Sequence, residues 1–191
     1  MLLLQSEAFV RLLPRRGFVV NSFKKGDLYD IFWAQAIIGG ELAARAAMKM
    51  SKDDVVRLQR LIADQQMAQA AGDQDKVARL GHEFHCTINL AAESPRLALL
   101  LGSLTKQLPH RFYASIEGQL NNTFEYHSII TDAIRMKDQE AVRSLMFRHI
   151  MSGAEHLLES LEEAGTWKPS AEALEEPDEE VPAPTAKSGK R

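Results

Sequence analysis

Apolar residues recur at helical spacing along most of the chain. Between residues 27 and 163 they lie mainly three or four positions apart, as on one face of an α-helix, and alanine, leucine and methionine are frequent. Val55, Leu58 and Ile62 are one such series. This pattern predicts that the whole region is helical.

Capping and turn residues divide the helical region into separate helices. Asp27 is expected to cap a first helix that runs to about residue 50. Ser51 and Asp54 have the spacing of a capping box, with Asp in place of the usual Glu or Gln. A final helix is expected at 139–163. The boundaries in between are expected at Gly72-Asp73, Ser94-Pro95, Pro109, Asn122 or Thr123, and Lys137-Asp138.

The two ends of the chain have different patterns. Short β-type runs at 10–13 and 18–20 flank a Pro-Arg-Arg-Gly turn, which predicts a small hairpin with a basic tip. After Gly165, prolines and acids predominate, and such a segment cannot bury enough apolar surface to offset its ordering entropy. We therefore predict a disordered tail at 165–191.

Composition and charge narrow the cellular setting. The one cysteine, Cys86, allows no internal disulfide and fits a reducing compartment. No apolar run reaches the ~18 residues that a membrane span needs, so we expect a cytoplasmic protein without membrane contact. The net charge of -3 equals that of 170–191, which holds six acids and three bases. Basic residues exceed acidic ones in the first 25 residues, a pattern that fits phosphate contact but is more common on solvated surfaces.

Three of the six histidines lie on apolar helix faces. Each of these three is expected on a different helix, so three helices direct one imidazole inward. The apolar neighbours that place them are three, four or seven residues away: Ile88 for His85, Ile130 and Ile134 for His127, and Val142 and Leu145 for His149.

Two interpretations account for three inward imidazoles. Each can hydrogen-bond separately inside a helical core, or all three can converge on a divalent ion such as zinc or nickel, for which neutral imidazole is a common ligand. Spacing alone does not decide between them. His82, one turn before His85, is a possible fourth ligand, whereas His110 and His156 are interpreted as surface or boundary residues.

Several motifs, in order along the chain, resemble the effector domain of FadR-type GntR-family regulators, which is called FCD. They are Phe84-His85, the run HSIITDAI at 127–134 and the run MFRHI at 146–150. The 22-residue step from His127 to His149 matches the family spacing. The run ELAARAA at 41–47 resembles the end of the family's first effector helix, and FVRLLPRRGFVV at 9–20 resembles the wing of a winged helix-turn-helix.

The resemblance implies an all-α fold, an antiparallel FCD-like bundle of six to seven helices preceded by a remnant β-hairpin wing. It divides the chain into the wing remnant of a winged helix-turn-helix at 1–24, an effector-binding helical domain at 25–164 and the tail at 165–191. It also implies a homodimer that binds a small organic acid. The divalent metal, of the zinc or nickel kind, is implied to lie on His85, His127 and His149, and the DNA contact at the wing tip on Arg15, Arg16 and Gly17.

The sequence departs from the family pattern at several points. Gly81 stands where the family has a metal-binding Asp, four residues before the first histidine. Gln35 and Gly39 stand at the ends of the family's R-x-x-x-E motif, so the implied effector contact falls on Gln35. Most of the winged helix is absent, and the acidic, proline-rich tail is no part of the pattern.

These features leave three candidate functions. The leading one is a metabolite-responsive, DNA-binding transcriptional regulator, present here mainly as its effector-binding, metal-binding and dimerisation domain. Because the wing is recognisable, we expect the native protein to begin upstream of Met1 and to bind an operator DNA. The alternative is a stand-alone ligand sensor or partner-dimer protein without DNA binding. A metal-dependent enzyme is a lesser alternative, because Glu83 and Glu125 point away from the histidines by helical phase, and we expect no enzymatic activity.

Overall fold

Most of the residues that the structure describes are in helices. The computed structural model of the protein describes residues 10–13, 17–20, 24–109, 112–113, 116 and 123–167. Two short strands, β1 (Val10–Leu13) and β2 (Gly17–Val20), precede the helices. The helices of eleven or more residues in these ranges are α1 (Lys25–Lys49), α2 (Lys52–Ala70), α3 (Gln74–Ala91), α4 (Pro95–Thr105), α5 (Thr123–Met136) and α6 (Gln139–Glu163).

Local caps set most of the helix ends where the sequence predicts them. The Ser51 Oγ accepts the Asp54 N–H at 3.2 Å, and the Asp54 carboxylate accepts the Ser51 N–H at 2.8 Å. The predicted capping box is therefore confirmed. Asp73 and Asp138 each accept a backbone N–H of the first turn of the following helix, at 3.1 and 3.0 Å. Gly72 ends the turn after α2 with φ +73°, a left-handed conformation that favours glycine.

The first helix begins earlier than the sequence analysis predicts. It starts at Lys25, so Asp27 lies at the third helical position rather than at the cap. The Asp27 carboxylate accepts the N–H of Lys24 at 3.0 Å. It still satisfies a free backbone donor at the helix N-terminus, but it does so from inside the first turn.

The two longest helices, α1 and α6, pack against each other in antiparallel orientation. Lys25 at the start of α1 pairs with Glu162 at the end of α6 at 2.6 Å, and Glu41 near the end of α1 pairs with Arg143 near the start of α6 at 3.0 Å. Gly40 lies at a close approach of the two helices, because a Cβ there would meet the Arg143 carbonyl oxygen at 2.9 Å. The consecutive pairs α2–α3 and α5–α6 are helical hairpins that also pack together.

Two clusters of buried apolar side chains stabilise the bundle. Every one of the six helices contributes to the larger cluster, whose members include Leu42, Leu58, Phe84, Leu101, Ile130 and Met146. The smaller cluster joins the start of α1 to the end of α6 through Phe32 and Leu157, with Leu108 and Ile116 beside them. Trp167, which falls in the predicted tail, packs against this smaller cluster, and residues 168–191 lie outside the described residues.

The N-terminal strands form the predicted hairpin. β1 and β2 pair in antiparallel register, with Val10 opposite Val20 and Leu13 opposite Gly17. The tip residues Arg15 and Arg16 lie outside the described residues, so their assignment to DNA contact stays a prediction. None of the described helices has the length and apolar character that crossing a membrane requires.

Candidate metal centre

Three imidazoles from three helices meet inside the bundle: His85 on α3, His127 on α5 and His149 on α6. The His149 Nε2 lies 3.2 Å from the His127 Nε2 and 3.2 Å from the His85 Nε2. One ligand atom from each of the three lies within 4.8 Å of the others. His127 is fully buried, His149 is 5% exposed and His85 is partly buried. The structure thus brings together the three histidines that the sequence singled out.

Two of the three nitrogen–nitrogen separations fit a tetrahedral ion. Metal–nitrogen bonds of the length found at zinc sites place neighbouring ligand atoms roughly 3.3 Å apart. The two Nε2–Nε2 separations of 3.2 Å are close to that value. Since three nitrogen ligands leave at least one position of a tetrahedral site open, the donor set has the composition of a ligand-binding centre rather than a closed structural site.

The protonation of the histidines favours metal binding. Burial lowers the pKa of His127 well below its usual value, and the neighbouring His149 and His85 lower it further. Burial also lowers the pKa of His149 well below its usual value, again with a contribution from His85. Both imidazoles are therefore neutral at pH 7, which is the form that binds a metal.

The ring of His127 is fixed on two sides. Phe84, the residue before His85, stacks on it with ring centroids 4.1 Å apart and an angle of 21°. The His127 Nδ1 lies 3.1 Å from the Oε1 of Gln65, a fully buried side chain of α2. Gln65 was not among the site residues predicted from the sequence. Its signal was a polar residue in the apolar series that Leu58 and Ile62 belong to.

The predicted fourth ligand, His82, does not join the group. It is exposed on α3, and its Nε2 lies 3.3 Å from the Cys86 Sγ. Gly81, one turn before His85, is buried but has no side chain that binds a metal. Among the described residues, the group that could hold an ion contains only the three histidines.

Gln35 lies on α1, buried, in contact with the segment that follows α4. Its Nε2 donates to the Tyr113 hydroxyl at 3.1 Å, and this hydroxyl donates to the Thr105 carbonyl oxygen at 3.3 Å. Burial raises the pKa of Tyr113 to about 12, so the phenol is neutral and remains a donor. Gly39 stands at the other end of the family's R-x-x-x-E motif, four residues after Gln35. It faces Ile150, whose Cδ1 would lie 2.9 Å from an added Cβ.

Thr123 is a second buried polar residue on a helix that carries one of the three histidines. It lies on α5 one turn before His127, and both side chains are on the buried face of that helix. The Thr123 Oγ1 is buried and has no hydrogen-bond partner among the described residues. A buried hydroxyl without a partner costs about 1–3 kcal/mol, so a polar group that reaches it is favoured.

Fold and site together define a class of protein, an all-helical domain with a buried centre of three imidazoles. Residues 30–152, more than half of the chain, match the FCD domain family. The chain belongs to this family. No curated protein matches the sequence.

Solved structures of GntR-family regulators have the same fold. The chain resembles E. coli McbR/YncC with a TM-score of 0.71 and 22% identity, over 83% of this chain and 81% of that one. It resembles Streptococcus agalactiae GntR with a TM-score of 0.59 and 22% identity, over 80% and 77% of the two chains. It also resembles a transcriptional regulator (GntR family member) from Pseudomonas syringae pv. tomato str. DC3000, with a TM-score of 0.64 and 19% identity, over 86% of this chain and 70% of that one.

Proposed function

We propose that this chain is the effector-binding, metal-binding and dimerisation part of a metabolite-responsive, DNA-binding transcriptional regulator that works in the cytoplasm. The observation that carries the proposal is the convergence of three Nε2 atoms, from two buried histidines and the partly buried His85, in a domain of the FCD family. The Pseudomonas syringae protein of the same fold is described as a transcriptional regulator of the GntR family. Effector binding in such a protein shifts the population between two dimer arrangements that differ in operator affinity.

The proposed ligands of a divalent ion, of the zinc or nickel kind, are His85, His127 and His149. Both His127 and His149 are neutral because burial lowers their pKa. Imidazole ligands supply no negative charge, so the two positive charges of the ion have no compensation in this site, which is unfavourable until an anion binds. When bound, the ion offers at least one open coordination position beside these residues.

This charge balance supports a small organic acid as the effector. A carboxylate oxygen is a suitable ligand for a divalent ion and supplies the missing negative charge. Gln35 is the proposed effector contact on α1, and with Tyr113 it offers an amide and a phenol rather than the guanidinium of the family pattern. We therefore propose that the effector has an uncharged polar contact with Gln35 and Tyr113, in addition to the carboxylate that binds the metal.

The DNA contact is proposed at the tip of the N-terminal hairpin, at Arg15, Arg16 and Gly17. Arginines at a wing tip neutralise phosphates, which positions a regulator on its operator but does not read its sequence. A homodimer is proposed because a paired domain presents two such tips to a two-fold operator. We propose no enzymatic activity, because Glu83, the carboxylate nearest His85 in sequence, is paired with Arg57 at 3.0 Å.

The regulator is tested with the protein purified from its source cells, so that it has its native N-terminus. After chelation, it is titrated with zinc or nickel and then with a panel of small organic acids, and binding to DNA from its own promoter region is measured by fluorescence anisotropy. We expect metal-dependent acid binding that changes DNA affinity. Ligand binding without any DNA binding would favour the stand-alone sensor, and the absence of both would refute the proposal.

A further inference from the structure

We propose that Gln65 is a positioning residue of the metal centre, which holds the proton of His127 on Nδ1 and so leaves Nε2 free to bind the ion. This inference rests on the proposed metal site and adds a residue outside its ligands. Gln65 belongs to α2, a helix that contributes none of the three histidines. Its side chain is fully buried, and its two amide atoms reach two other helices.

The orientation of the Gln65 amide follows from its partners. Its Nε2 lies 3.2 Å from the carbonyl oxygen of Val77 on α3. A backbone carbonyl only accepts hydrogen bonds, so the amino group of Gln65 must face it. The other end of the amide, the carbonyl oxygen Oε1, therefore faces His127.

This orientation determines the tautomer of His127. The Gln65 Oε1 lies 3.1 Å from the His127 Nδ1, and an amide oxygen only accepts. The neutral imidazole must then have its proton on Nδ1, and its Nε2 has a free lone pair. That Nε2 is the atom 3.2 Å from the His149 Nε2, inside the proposed centre.

The ring has little freedom to escape this arrangement. His127 is fully buried, and the stacked Phe84 ring holds its plane with centroids 4.1 Å apart. With the proton on Nε2 instead, an N–H would occupy the metal-binding direction, and the Gln65 oxygen would no longer face a donor on His127. Hydrogen bonds from residues that do not themselves bind the metal are known to fix the tautomer and orientation of metal-binding histidines.

The tautomer is measured directly in the metal-free, uniformly 15N-labelled protein. Long-range 1H–15N correlation spectra distinguish a protonated from a bare imidazole nitrogen at each histidine. We expect His127 in the wild type to have the proton on Nδ1. Gln65→Leu, which keeps the volume but has no acceptor, is expected to lose this preference. Competition with a chromophoric chelator is expected to show zinc affinity about 10–100-fold lower in this variant.

Two further variants separate positioning from a general structural role. Gln65→Glu keeps an acceptor for the Nδ1 proton, so we expect it to retain both the tautomer and zinc binding even if the contact with Val77 weakens. Gln66→Leu is the matched control, because Gln66 is the exposed neighbour on the same helix. It is expected to behave as the wild type.

The outcomes distinguish the role of Gln65 from the metal site itself. A His127 proton on Nε2 in the wild type, or zinc affinity unchanged in Gln65→Leu, would overturn the positioning role. A Gln65-dependent Nδ1 proton in a protein that binds no divalent ion would overturn the proposed metal centre. If Gln65→Leu does not fold, the wild-type spectrum and Gln65→Glu still decide the question, since loss of the Nδ1 proton in a folded Gln65→Glu variant would contradict the inference.

Discussion

At the residue scale, the His127 ring is held by contacts on three sides. Its ring is stacked on Phe84, its Nδ1 faces Gln65 and its Nε2 faces His149. Each of these contacts comes from a different helix, so the position of the Nε2 depends on α2, α3, α5 and α6 together. A ligand held in this way binds an ion with little reorganisation.

Removing an imidazole tests the proposed ligand set. His127→Ala and His149→Ala are each expected to lower the bound zinc or nickel below half of the wild-type stoichiometry, because two nitrogens hold a divalent ion poorly. Metal content after dialysis, measured by inductively coupled plasma mass spectrometry, provides the readout. His82→Ala is the control and should leave the metal content unchanged, since His82 pairs with Cys86 on the exposed side of α3. If only His82→Ala lost the ion, and the other two variants kept it, the metal would be bound at another site.

Tyr113→Phe tests the contact of Gln35. The variant removes the hydroxyl that accepts from Gln35 and donates to the Thr105 carbonyl, so we expect the free energy of unfolding at pH 7 to fall by about 1–3 kcal/mol. Urea denaturation measures this change. A loss below a few tenths of a kcal/mol would mean that this network contributes little.

The same tyrosine predicts a dependence of stability on pH. The pKa of Tyr113 is about 12 in the folded protein, against a usual value of about 10, so the folded state holds this proton more tightly than the unfolded state. Its contribution is fully present below pH ~10 and is lost as the pH rises from ~10 to ~12. We expect the wild type to lose more stability than Tyr113→Phe over that interval in denaturation series, and equal losses would contradict the assignment.

At the element scale, the close packing of α1 against α6 is the main structural feature. Ion pairs mark both ends of the contact, but they are largely exposed and each contributes less than about 1 kcal/mol. The distance between the helices depends instead on Gly40, which lies against the backbone of Arg143. Since His149 is on α6, this distance also affects the geometry of the three-histidine group.

Adding one methyl group at this contact is expected to separate the helices. Gly40→Ala would place a Cβ 2.9 Å from the Arg143 carbonyl oxygen, and backbone cannot move as a flexible side chain does, so we expect a loss of about 1–3 kcal/mol. Gly102→Ala on α4 is the matched control, because nothing lies within 4 Å of its Cβ. There we expect a gain of about 0.5–1 kcal/mol from the better helix propensity of alanine. Thermal denaturation of both variants measures these changes in stability. Equal changes in the two variants would contradict close packing at Gly40.

The helices and the three histidines could be predicted because both depend on local sequence. Caps such as Ser51 and Asp138 act within one helical turn, and the inward direction of His127 follows from its spacing to Ile130. The start of α1 was predicted too late because Asp27 satisfies a backbone donor from inside the helix as well as it would from the cap.

The partners of the histidines could not be predicted in the same way. Gln65 is 62 residues from His127, and Tyr113 is 78 residues from Gln35, so neither contact has a periodic signal. A buried glutamine also looks like any polar interruption of an apolar face until the neighbouring helix is placed. His82 is only about 60° from His85 around α3, so helical phase could not exclude it as a ligand. In the structure its side chain is exposed and lies beside Cys86.

At the scale of the whole molecule, the proposed metal binding would be coupled to the stability of the fold. An ion that binds the three histidines stabilises only the folded state, because in the unfolded chain they are separated by 42 and 22 residues. The hairpin at the N-terminus is continuous with α1 through a short segment, and α1 packs on the helix that carries His149. If the centre binds a ligand as proposed, α6 and α1 connect it to the hairpin that is proposed to contact DNA.

Metal removal is therefore expected to lower the melting temperature. At free zinc about 100 times the dissociation constant, binding adds about 2.7 kcal/mol to the free energy of unfolding. Differential scanning calorimetry with zinc, and after treatment with a chelator, measures the shift. The variant His127→Ala should show no shift with zinc. A wild-type protein whose melting temperature is the same under both conditions would contradict specific binding.

The most direct test of the central claim is a crystal structure of the zinc-loaded protein with anomalous diffraction recorded on both sides of the zinc edge. We predict a single strong peak at the centre, about 2.0–2.1 Å from the Nε2 atoms of His85, His127 and His149. We also predict non-protein oxygen in the remaining coordination position. No peak at this centre, or a peak bound instead by His82 and Cys86, would contradict the account.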